Sequence, residues 1–111
     1  KPVLRKTTAE AEGWRLKEPV PGFLPMSCHT REPEGAVTGS GPMQWVFSDG
    51  LASVSLFVEP FDASRHPQEK MALMGATHSL TRRIGAYWLT AMGEVPATTL
   101  RRFAQSLERT R

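Results

Sequence analysis

A single cysteine, Cys28, leaves this chain of 111 residues no intrachain disulfide and argues against a cysteine-based metal site. On a strand, such a residue is most simply a small buried apolar side chain. No apolar run approaches the ~20 residues needed to cross a bilayer. No signal peptide is visible, and the chain starts at Lys1 without an initiator Met. It therefore reads as a domain cut from a longer protein, and targeting signals do not give its compartment. Charge of neither sign dominates: Lys+Arg 14 against Asp+Glu 11 leaves +3. That mildly basic balance suits an acidic protein, a phosphate-bearing lipid or a nucleic acid, and selects none of them.

Catalytic patterns are missing as well. His29, His66 and His78 lie far apart, and none has a ligand partner at metal-binding spacing. His66 reads as solvated, and His29 and His78 as solvent-facing or edge residues. Asp49 and Asp62 are the only aspartates, and Asp49 is committed to a turn. There is no G-x-S-x-G elbow, no phosphate loop and no scaffolded carboxylate pair. The expectation is a chain that is not an enzyme, with no catalytic residue, metal or cofactor.

What is present begins at residues 42–60, PMQWVFSDGLASVSLFVEP. Asp49-Gly50 is a two-residue hairpin signal, since a type I′ turn needs positive φ at both central positions. Folding there opposes Phe47 to Ala52, Trp45 to Val54 and Met43 to Leu56, all on one apolar face. The other face is mostly polar, so the hairpin covers a core on one side.

Residues 1–13 read as a linker or frayed arm with a helical turn through 8–12, and 14–111 as a single small domain. Residues 14–17 form a short strand. Residues 24–31 alternate Leu24, Met26, Cys28 and Thr30 against Pro25, Ser27, His29 and Arg31, as a second strand. Residues 32–41 form a loop. Residues 61–70 form a crossing loop, with a helical turn near 68–73. Residues 76–83 and 87–92 make a second hairpin with two open registers. The Gly85-Ala86 loop, which pairs Ile84 with Tyr87, is favoured because isoleucine resists positive φ.

Leu100, Phe103, Ala104 and Leu107 fall at i, i+3, i+4 and i+7, the stripe of an amphipathic helix. Pro96 suits its first turn, and Arg109 and Arg111 its negative end. The fold class is α+β: an antiparallel sheet of about four to six strands built from hairpins, packed on one C-terminal helix.

Two surfaces suggest binding. Arg82 and Arg83 flank the second turn beside Tyr87 and an exposed Trp88, and such a surface stacks bases or grips phosphate. Its partners would be lipid A phosphates, anionic peptides or nucleic acid. Arg101 and Arg102 read as the wet side of the helix. Val46, Leu51 and Phe57 project from the polar hairpin face and, with Phe61, form an apolar patch for another protein or a sister domain.

The strings SDGLASVSLFVEP (48–60) and MGEVPATTLRRFAQSL (92–107), with Arg82-Arg83 between them and LKEPVPGF (16–23) before them, resemble the C-terminal part of the MucB/RseB family. The resemblance covers about 14–108. It implies a periplasmic negative regulator of an envelope-stress sigma factor. Such a protein binds the periplasmic part of a transmembrane anti-sigma factor and shields it from proteolysis. It also implies an N-terminal lipid-sensing domain, open to a lipid or lipopolysaccharide signal, ahead of this smaller gripping domain. The partner-contact residues on physical grounds are Phe57 and Phe61 (apolar) and Arg82, Arg83 and Trp88 (polar). The alternative is an anionic-ligand or nucleic-acid module built on the arginine and aromatic surface.

Overall fold

The computed structural model describes residues 2–33, 41–66 and 68–111. Alternating apolar residues make the two central strands, β4 (Met43–Ser48) and β5 (Ser53–Pro60). Met43, Phe47, Val54, Leu56 and Val58 are buried on one face, as period-two alternation requires. The strands pair Met43 with Val58, Trp45 with Leu56 and Phe47 with Val54. That is two residues out from the expected register. Only Gly50 has positive φ, so the type I′ turn does not form. Instead Asp49 Oδ1 accepts the amides of Leu51 and Ala52 at 2.8 and 2.7 Å, which closes a four-residue loop. A shift of two preserves the faces, so the apolar pattern could not detect it.

Those two amides, Ala52 foremost, hold the Asp49 carboxyl below the ordinary carboxylate range. A depressed folded value stabilises the fold above the unfolded value of about 3.9, and this is lost as pH falls through the folded one. Asp49→Ala is therefore expected to lower Tm at neutral pH and to make much less difference below the carboxylate range. Melting curves of both proteins across acid pH check this.

Around the central pair, seven strands form one antiparallel sheet in the order β1-β3-β4-β5-β8-β7-β6. The others are β1 (Pro2–Lys6), β3 (Leu24–Pro33), β6 (Lys70–Met74), β7 (Thr77–Ile84) and β8 (Tyr87–Gly93). The class is α+β as expected, with more strands. The β7–β8 turn takes the favoured register: Ile84 pairs with Tyr87, and Gly85 has φ 60°.

Three stretches differ from their sequence reading. Within the stretch read as an arm, β1 pairs along β3, and α1 (Ala9–Glu12) is capped by Thr8 Oγ1 and closed by Gly13 at φ 88°. The stretch read as a loop with a helical turn holds β6, joined to β7 across Gly75-Ala76, with Met74 paired to Thr77. In β3 a register shift between Pro25 and Ser27 breaks the alternation. Leu24 and Met26 are consequently 69% and 64% exposed, while Cys28 and Thr30 are buried. Burial, reinforced by Glu12, raises the Cys28 pKa to about 11, which keeps the thiol protonated at neutral pH. Of the expected loop at 32–41, residues 34–40 lie outside those described.

Helix α2 (Ala97–Ser106) packs on β7 and β8 with Leu100, Phe103 and Ala104 buried. It stops a turn earlier than the stripe suggested. Leu107 is extended (φ −68°, ψ 127°) and opens β9 (Leu107–Arg109), which pairs with β2 (Trp14–Leu16). The end of the helix is satisfied from the other side of the chain. Lys17 N–H donates to Ser106 O, and Glu18 N–H to Ser106 Oγ, both at 2.8 Å. Arg109 and Arg111 accordingly do not complement α2. They donate to the last carbonyls of α1: Arg109 to Glu12 O at 2.7 Å and Arg111 to Ala11 O at 3.1 Å.

Gly93 sits where β8 crosses Val54 and His78. A Cβ there would lie 2.4 Å from Ser53 O, a backbone atom in mid-sheet. Gly93→Val is therefore expected to cost about 1–3 kcal/mol, as overpacking does. Urea unfolding would show it as a lower midpoint.

Candidate partner-binding surface

The antiparallel register sets Arg83 directly opposite Trp88, on the sheet face away from α2. Beyond β5, Phe61 is pinned by its amide to Ala86 O at 2.8 Å, which brings the ring beside this pair. The Arg83 guanidinium lies 3.8 Å from the Phe61 ring centroid. Phe61 in turn lies 5.8 Å from Trp88 at a tilt.

Residues 62–66 fold over this cluster. Asp62 Oδ1 accepts Ser64 Oγ–H at 2.7 Å and Ser64 N–H at 3.0 Å. These bonds, with Arg65 and His66 as lesser causes, hold the Asp62 carboxyl below its usual range. The Asp62 amide donates to His66 Nδ1 at 2.9 Å. That bond makes Nδ1 the acceptor, so a neutral ring carries its proton on Nε2, 3.5 Å from Glu59 Oε1. Glu59 also receives the Arg65 guanidinium. The imidazole stacks on Trp88 at 5.0 Å and 16°.

His66 is thus buried rather than solvated. Neighbouring polar residues gave no sign of it; the signal was the spacing of Asp62 and His66, which closes one tight loop. His78 also differs from an edge residue. It is half-buried, with Nδ1 2.8 Å from Val95 O.

The five expected contact residues separate by position. Phe61, Arg83 and Trp88 form one cluster, and Phe57 lies half-buried on the same face opposite Thr90. Arg82 follows the opposite alternation and donates to Ala104 O of α2. Trp88 is only 5% exposed, with His66 and Phe61 against its ring. The exposed arginine and tryptophan surface expected at this turn is therefore corrected. Arg82 and Arg83 face opposite sides, and Trp88 has no open ring on which a base could stack. What the face leaves at the surface is Phe57, the Phe61 edge and the Arg65 and Arg83 guanidiniums, with Leu51 fully exposed at the β4–β5 tip. This is an amphipathic surface.

A second cation–aromatic contact escaped the sequence reading. Arg109 lies 5.0 Å from the Trp14 ring and 4.5 Å from Tyr87, which ties β9 to β8.

The family model for the MucB/RseB C-terminal domain matches residues 8–108. Among solved structures, the chain resembles MucB in a complex with MucA(peri), at 28% identity and a TM-score of 0.70. It resembles the Pseudomonas aeruginosa MucA/MucB complex equally, at 28% and 0.70. Each match covers 89% of this chain but only 37% and 35% of the respective matched chain, so the chain spans little more than a third of their length. No curated protein sequence matches it.

Proposed function

Because the chain belongs to the MucB/RseB C-terminal domain family, we propose that it is the gripping domain of a periplasmic negative regulator of an envelope-stress sigma factor. In this reading it binds the periplasmic part of a transmembrane anti-sigma factor and shields that segment from proteolysis. The match over residues 8–108 carries the proposal. The likeness to MucB solved with MucA(peri) supports the choice of partner. The role is binding rather than catalysis, and the compartment is the periplasm. By the same family relation, an N-terminal lipid-sensing domain accompanies this one and passes a lipid or lipopolysaccharide signal to it.

Calorimetric titration with the periplasmic segment of the cognate anti-sigma factor, at low and high salt, tests the reading. Saturable binding that survives high salt is expected, because apolar contact with Phe57 and Phe61 is not screened. Binding that collapses with salt would point instead to an anionic ligand held by arginines. No binding, by this chain or by a longer protein containing it, would overturn the proposal.

A further inference from the structure

The sheet ends at β6, and no described strand pairs with its outer side. Every second backbone N–H and C=O along Lys70–Met74 therefore points away from the sheet. Proteins usually blunt such edges with prolines, charges or bulges. This one reads KMALM, with a single charge at its start, and Leu73 and Met74 are 60% and 80% exposed. The opposite edge, β1, differs: it reads PVLRK, with a proline and two cations.

A groove of about 480 Å³ is lined by residues of β6, β7 and α2. Met71 and Leu80 contribute apolar lining, and Lys70, Arg82 and Arg101 bring three cations. Among the described lining residues Glu69 is the one carboxylate, and its Oε2 accepts the Arg83 amide at 2.8 Å. The groove is positive, and it runs beside an open edge.

We propose that the β6 edge and this groove receive an extended, acidic polypeptide segment, added to the sheet as an eighth strand. Backbone hydrogen bonds to β6 would supply affinity, and alternate side chains would reach Met71 and Leu80 while carboxylates meet Lys70 and Arg101. A second copy of the chain fits worse, because it would set one basic rim against another. The proposal rests on the regulatory reading above, which makes the segment part of the anti-sigma factor.

The test is amide hydrogen exchange of this chain with and without the periplasmic segment of the cognate anti-sigma factor. Slower exchange within Lys70–Met74 is expected. The double variant Lys70→Glu, Arg101→Glu is expected to weaken binding roughly tenfold, with an unchanged thermal melt, since both residues are exposed. Binding with protection elsewhere and none on β6 would overturn this site and leave the regulatory reading standing. Binding by a longer protein but not by this chain would likewise overturn the claim that this edge receives the segment by itself. Failure of both proteins to bind would remove the regulatory reading and this proposal with it. Concentration-dependent protection of β6 without the segment, with a dimer in sedimentation, would name a second copy as occupant and overturn the proposal.

Discussion

Phe103→Ala is expected to lower the unfolding free energy by about 3–5 kcal/mol, the range for losing a buried aromatic ring. Phe103 is fully buried and joins separate parts of the fold. Its ring lies 4.9 Å from Phe47 in mid-sheet and 5.5 Å from Phe23 in the segment that leads into β3. Phe47 in turn meets Trp45 at 4.6 Å. Strands and helix fix these neighbours, so the cavity cannot collapse and the full cost should appear. Urea unfolding measures it as a lower midpoint at unchanged slope. Arg102→Ala, exposed on the same helix, should change stability by no more than about 0.5 kcal/mol. A loss below about 1 kcal/mol for Phe103→Ala would show that the aromatic cluster does not organise the core.

Trp88→Ala is the second large effect, again about 3–5 kcal/mol. It separates two roles that the sequence could not. An exposed indole used for partner contact would be lost at little cost in stability. A buried indole sandwiched under His66 and Phe61 is part of the fold. The double-mutant cycle of Trp88→Ala with His66→Ala should return a coupling of about 0.5–1.5 kcal/mol, the range for stacked rings. Near-additivity would mean that the 62–66 loop does not rest on the indole. Contact with a partner is better probed through Arg83 and Phe57, which reach the surface without filling the core.

Alternation and helical periodicity made the sheet face and the Leu100 and Phe103 stripe legible in advance, and the resistance of isoleucine to positive φ did the same for the Ile84–Tyr87 turn. What escaped was held together by the backbone or by contacts distant in sequence. β1 exposes both Val3 and Leu4, so an edge strand solvated on both sides shows no alternation. β6 shares that fault, although Gly75-Ala76 repeats the Gly85-Ala86 dipeptide and both glycines have φ near 60°. Leu107 continues the helical stripe, yet the pairing with Leu16 takes it into a strand. In the candidate site, parity along the strands decided which residues share a face. Trp88 and Arg83 are paired opposite each other, whereas Arg82 and Arg83 are neighbours in sequence and therefore face apart. The burial of Trp88 depends on His66, which only the closed Asp62 loop delivers.

The small β2–β9 ladder has a kinetic consequence. It joins Arg15 to Glu108, 93 residues away, through an exposed ion pair. Ion pairs of that kind contribute about 0–1 kcal/mol. Closing so long a loop costs roughly 2 kcal/mol more than closing a ten-residue one. The ladder therefore cannot nucleate folding and waits until the hairpins have drawn the two segments together. Trp14 and the end of α2 are secured only at that step. A chain emerging residue by residue stays unlatched until Leu107–Arg109 are free to pair, and until then the Trp14 side of the core stands open to proteases.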